Sequence, residues 1–208
     1  MKDYDKIFMK REQKTQDKTT MMISILVDSS GSVGNEQHKI QLDTTYLMSK
    51  ALEQTKNKSE VIEFSGDGRG EYSRQTDEDK FKVIKKFNQK TEQGDFKRHF
   101  HCGNELNPAL KYALKSLNKE MIIKNKFVIV ITDGNLEADG NTEEEMQSQV
   151  LEFKKNNIPV YCILVNPDDD NPYKFFDKVI SVNEFSELMQ QLKKLIIDIQ
   201  KKVMIKNI

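Results

Sequence analysis

Three segments of this chain are almost wholly apolar and rich in β-branched residues: MMISILV (21–27), KFVIVIT (126–132) and IPVYCILV (158–165). Runs of this length and composition read as strands covered on both faces, which is the position of strands inside a parallel sheet. A shorter run, EVIEF (60–64), reads as a fourth strand. Helical patterns lie between them. Ile40, Thr44, Leu47 and Ala51 fall on one helical face, and Leu106, Ala109, Leu110, Ala113, Leu114 and Leu117 form a tighter stripe. Phe185, Leu188, Met189, Leu192, Leu195, Ile196 and Ile199 make a last amphipathic cover. Parallel neighbours need right-handed crossovers, which place helices on the sheet faces. The predicted fold is therefore α/β: a doubly wound, mostly parallel sheet with helices on both faces.

Helix starts carry local signals. Thr142 with Glu145 and Ser181 with Glu184 have the spacing of a capping box, and Asn107 before Pro108 fits a cap followed by a first-turn proline. The stretch GDGRGEYSRQ (66–75) suggests a turn and an edge strand, and Phe81, Ile84 and Phe87 a helix after it. Residues 1–20 are mostly charged or polar and read as a lead-in; 21–204 read as one domain. Met48, Phe153, Phe175 and Phe176 are expected in the core.

Charge narrows the partners. The 33 basic and 33 acidic side chains cancel, so no net field draws the chain to nucleic acid or to an acidic membrane. No stretch approaches the roughly 20 apolar residues that span a bilayer. Cys102 and Cys162 are widely separated, and the N-terminal stretch lacks the apolar run of a signal sequence, so a reduced, cytoplasmic setting is expected.

The first strand ends abruptly in DSSGS (28–32), and the strand FVIVIT is followed by Asp133. Ligands of doubly wound sheets bind beyond the carboxyl ends of the strands, where strand order reverses. With strand order 3-2-1-4-5-6 these two strands are neighbours, and Asp28, Ser30, Ser32 and Asp133 converge. They offer only hard oxygen ligands, which suit Mg²⁺, Ca²⁺ or Mn²⁺ rather than zinc or copper. The plain alternative is a polar turn that caps the next helix.

DSSGS resembles the DxSxS motif of von Willebrand factor A domains, and ITDGN (131–135) resembles the strand-end aspartate motif of the same family, over roughly residues 20–200. The resemblance implies a metal-ion-dependent adhesion site, with Ser30 and Ser32 on the ion and Asp28 and Asp133 acting directly or through water. In the family a third loop brings a threonine ahead of a helix; here GNELNPAL (103–110) places Asn104 at that position, with Glu105 as a substitute if the loop shifts by one residue. The resemblance implies a Mg²⁺-type cation, with Ca²⁺ or Mn²⁺ as alternatives. The partner it implies is a protein that completes the shell with an exposed carboxylate. The run from SEVIEF to KFVIVITDG is similar to the cobalt-chelatase T subunit branch, which implies a partner among MoxR-type AAA+ ATPases.

Other sites are set aside on chemistry. A serine nucleophile needs an oriented histidine, and none of His38, His99 and His101 shows an orienting partner in sequence. HFHC (99–102) reads as a surface loop rather than a zinc site, and GDGRG (66–70) lacks the residues of a phosphate-binding loop. The chain is expected not to be an enzyme. A metal-assisted hydrolase or phosphatase on the same sheet, and a metal-free interaction domain, are the alternatives.

Overall fold

The computed structural model describes residues 20–65, 80–99, 103, 105–134, 136, 142–166 and 173–206. Strands β1 (Met21–Asp28), β2 (Lys58–Phe64), β3 (Phe81–Lys85), β4 (Asn125–Thr132), β5 (Val160–Val165) and β6 (Lys178–Val182) form one sheet in the order β3-β2-β1-β4-β5-β6. All pairings are parallel except β2 with β3. Helices α1 (Asn35–Gln54) and α4 (Leu188–Lys206) cover one face, and α2 (Leu106–Lys119) and α3 (Glu143–Lys155) the other. The fold is the doubly wound α/β sheet that the strand pattern predicts.

Alternation along β1 explains its unbroken apolar run. Met21, Ile23, Ile25 and Val27 point into the layer under α1 and α4, whereas Met22 and Leu26 point toward α2 and α3. Two cores, one per face, therefore demand apolar residues at nearly every position. Phe153 of α3 is fully buried in the second core with Val128, Val130 and Leu164. Met48, Phe175 and Phe176 are also core residues.

Several local expectations are corrected. Phe81 and Ile84 do not lie on a helix: they belong to β3, where Phe81 packs toward α2, with its ring 5.0 Å from that of Tyr112, and Ile84 enters the opposite core. Spacing of three fits both a helical stripe and a strand that feeds two faces, and the unpaired edge of β2 selects the strand. The expected edge strand at 66–75 lies outside the described residues. Ser181 is not a helix cap but part of β6, which covers the edge of β5; the last helix begins later, with a 3-10 turn at Phe185–Glu187 leading into α4. Asn107 is not the cap of α2, which starts at Leu106 after Glu105; Pro108 falls in the first turn, where a missing N–H is harmless. The Thr142–Glu145 capping box is present in full.

The buried side of α1 also differs from the expected stripe. Ile40 and Leu47 are exposed, while His38, Gln41, Leu42, Thr44, Thr45, Met48, Ser49 and Leu52 face the sheet. On β2, Glu63 is buried on the same side of the sheet, with His38 Nε2 of α1 3.6 Å from its Oε1.

Candidate metal centre at the sheet switch point

The neighbours β1 and β4 lie where strand order reverses, so their carboxyl ends open into the crevice such sheets use for ligands. Asp28 is the last residue of β1 and is completely buried. Its Oδ1 accepts the Ser30 backbone N–H at 2.8 Å, and its Oδ2 accepts the Thr132 hydroxyl at 2.6 Å. Thr132, the last residue of β4, accepts in turn from the Gly134 N–H at 3.1 Å. One carboxylate thus ties the two strand ends together. From Asp28 outward exposure rises: Ser30 is buried, Asp133 half-buried and Ser32 exposed.

The two serine hydroxyls lie 2.9 Å apart. Gly34 stands at the N-terminus of α1, and no side chain caps that helix. The DSSGS loop therefore does not serve as a side-chain cap, and its hydroxyls remain turned toward each other.

Electrostatics at the site are unfavourable as the protein stands. Burial, together with the nearby charge of Asp133, pushes the Asp28 carboxyl up from its ordinary value of 3.8 to about 6, against the opposing pull of its hydrogen bonds from Thr132 and Ser30. Asp133 Oδ1 is buried and has no hydrogen-bond partner among the described residues. A carboxylate oxygen withdrawn from water with nothing to bind is costly, and a cation removes that cost together with the repulsion from Asp28. Two carboxylates and two hydroxyls are a hard donor set, so a divalent cation fits these residues. Among the described residues no three His, Cys, Asp or Glu side chains converge as metal ligands.

The third loop enters only in part. Asn104, predicted at the threonine position, lies outside the described residues, as do His101 and Cys102. Gly103 takes φ 56° and Gly134 φ 114°, so both loops turn through backbone that favours glycine. Glu105, the substitute for Asn104, is engaged elsewhere: its Oε2 lies 2.5 Å from Lys80 Nζ.

Three features escaped sequence reasoning. Thr132 bridges the strands, although only its place before Asp133 marks it. Tyr173 holds the second loop: its hydroxyl donates to the Gly134 carbonyl and accepts the Leu136 N–H at 2.9 Å. Arg98 donates to the carbonyls of Ser29 (3.2 Å), Ser30 (2.9 Å) and Val33 (3.0 Å) and to Asn35 Oδ1 (2.9 Å). The expectation that no histidine has an orienting partner is also corrected. His99 Nδ1 lies 2.7 Å from Glu63 Oε2, whereas His38 Nε2, 3.6 Å from Glu63 Oε1, is beyond hydrogen-bond distance. Glu63 sits 36 residues from His99 in the chain, beyond the reach of any local motif.

The sequence profile of the von Willebrand factor type A domain matches residues 23–196. No curated protein sequence matches the chain. Among solved structures, the chain is similar to proximal thread matrix protein 1 from the mussel byssus (TM-score 0.61, 19% identity, 86% of this chain and 48% of that one). It is similar to the pilus adhesin SpaC from Lactobacillus rhamnosus GG (TM-score 0.65, 15% identity, 88% and 30%). It is also similar to the SpRpn10 VWA domain (TM-score 0.61, 15% identity, 83% and 95%). The chain thus spans about half of the mussel protein and under a third of the adhesin, but nearly all of the isolated domain.

Proposed function

The chain belongs to the von Willebrand factor type A family, a common protein-interaction module, and from that premise we propose that it grips a partner protein through a divalent cation held at the carboxyl ends of β1 and β4. The observation that carries the reading is the buried Oδ1 of Asp133, which has no hydrogen-bond partner among the described residues, beside a buried Asp28 whose own charge it opposes. Ser30 and Ser32 supply hydroxyl donors, Asp28 and Asp133 supply charge directly or through water, and Asn104 stands at the third-loop position. The hard donor set suits Mg²⁺, Mn²⁺ or Ca²⁺, with Mg²⁺ preferred on the family resemblance, and the cation would supply the positive charge that a partner's carboxylate meets.

Each residue of the chain has a defined task. Thr132 and the Ser30 N–H fix the Asp28 carboxylate, so its oxygens need no reordering on loading. Exposed Ser32 leaves the outward side open to a protein ligand. In this reading the module works by ligation and without turnover, on a protein rather than on nucleic acid or membrane. Among the described residues no helix is long and apolar enough to cross a membrane. A cytoplasmic setting, and a MoxR-type AAA+ ATPase as the partner, extend this proposal on the strength of the sequence resemblance alone.

The test is retention of the protein on an immobilised aspartate-rich peptide in Mg²⁺ and in EDTA, beside a Ser30→Ala, Ser32→Ala double variant. Retention in Mg²⁺ that is lost in EDTA and in the variant is the expected result. Equal retention in EDTA would refute a bridging cation.

A further inference from the structure

The segment just before the third loop reaches back across the fold. Arg98 lies after the 3-10 turn at Gln93–Asp95, 63 to 69 residues from the groups it binds. Its Nη2 converges on the carbonyls of Ser29, Ser30 and Val33, and its Nη1 donates to Asn35 Oδ1 at the start of α1. These acceptors are uncharged oxygens, and together they span the turn that carries Ser30 and Ser32. The next residue anchors this reach to the sheet. His99 donates its backbone N–H to Glu63 Oε1 at 3.0 Å and sets Nδ1 2.7 Å from Oε2, and Glu63 is fully buried on β2.

We infer that Arg98, braced through His99 on Glu63, is a positioning residue that holds the Ser29–Asn35 loop in its ion-binding shape before any ion arrives. The inference rests on the proposed metal site for its consequence, though not for its geometry. A turn of seven residues with an exposed glycine and serine at its tip has many alternative conformations. One planar guanidinium engaging three of its carbonyls selects a single one, and a site ordered beforehand gives up less entropy when it binds. A lysine carries the same charge on a single ammonium, which can meet carbonyls of the turn but has no second arm to hold Asn35 at the same time, as Nη1 does.

Coulomb forces alone predict the opposite effect of removing Arg98, which makes the test decisive. A positive charge beside a cation site opposes loading, so a bystander arginine would tighten metal binding when neutralised. A positioning arginine would weaken it. The experiment compares wild type, Arg98→Gln and Arg98→Lys in two measurements: amide hydrogen exchange of the metal-free proteins over 28–35, with 125–132 as the global control, and Mn²⁺ affinity from the electron paramagnetic resonance of free Mn²⁺.

The expected result for Arg98→Gln is exchange over 28–35 faster by on the order of tenfold, unchanged exchange over 125–132, and Mn²⁺ affinity lower by on the order of tenfold, the scale of one charge-assisted hydrogen bond. Arg98→Lys restores at most part of each. Unchanged loop exchange, or Mn²⁺ binding as tight as or tighter than wild type, overturns the role of Arg98 while leaving the metal site standing. If wild type takes up no Mn²⁺, the metal reading fails and loop exchange alone decides whether Arg98 holds the turn. If protection over 125–132 collapses in Arg98→Gln, the same comparison is made with Arg98→Lys, and wild-type loop exchange in that variant overturns the inference.

Discussion

Replacing Asp28 with asparagine should stabilise the metal-free protein. Asp28 is fully buried beside Asp133, and its pKa is raised from 3.8 to about 6, chiefly by burial. Each pKa unit is worth about 1.4 kcal/mol, so at pH 7 the ionised carboxylate weakens the fold by about 3 kcal/mol relative to its neutral form. The amide is neutral and close in shape: its oxygen can accept the Ser30 N–H, and its NH₂ can donate to the Thr132 hydroxyl. For a chain of this size a gain of that order raises the melting temperature by roughly 6–12 °C. The sign fixes the pH window. A carboxyl with a raised folded-state pKa favours the fold fully when protonated, below about 4, and that contribution is lost as pH rises through about 6. The gap between Asp28→Asn and wild type should therefore be full at pH 7 and closed near pH 4. Thermal melts in EDTA at both values read it, and Mg²⁺ should raise the wild-type midpoint by mass action while leaving the variant unmoved. An Asp28→Asn protein less stable than wild type at pH 7 in EDTA, or a gap independent of pH, would refute the electrostatic account.

Other perturbations separate site from scaffold. Thr132→Val keeps shape but deletes the hydroxyl that donates to Asp28 Oδ2; the Asp28 carboxyl should rise above about 6, moving the pH midpoint of Mn²⁺ binding upward in a titration from pH 5 to 8. Phe153→Ala empties a fully buried position between α3 and the sheet and should lower unfolding free energy by about 3–5 kcal/mol in urea, with metal affinity per folded molecule unchanged. Thr142→Ala breaks the capping box of α3 and should cost about 1 kcal/mol in the same assay, with little effect at the site.

The sheet was legible because burial on two faces writes itself into sequence as unbroken apolar runs: β1, β4 and β5 each show one, and the short β2 a weaker one. Edge strands carry half that demand. β6 leaves Lys178 and Ser181 exposed, and Phe81 and Ile84 of β3 with Phe87 of the turn after it have the spacing of a helix, so neither strand stands out in sequence. At the site, Asp28, Ser30, Ser32 and Asp133 follow strand ends and stand out locally. Thr132, Arg98 and Glu63 act through contacts tens of residues away in the chain, and their residue types at those positions are unremarkable without the fold. His38 on the inner side of α1 was hidden for the same reason: its place beside the buried Glu63 shows only in the fold.

The most direct test of a cation held by Asp28, Ser30, Ser32 and Asp133 is a calorimetric titration of Mg²⁺, Mn²⁺ and Ca²⁺ into EDTA-stripped protein, beside the Ser30→Ala, Ser32→Ala variant. Saturable binding of one ion per chain that disappears in a variant with an unchanged melting temperature is the predicted result. Binding that persists in the variant, or no binding to wild type at millimolar metal, would contradict the site and leave the family's interaction surface to act without an ion.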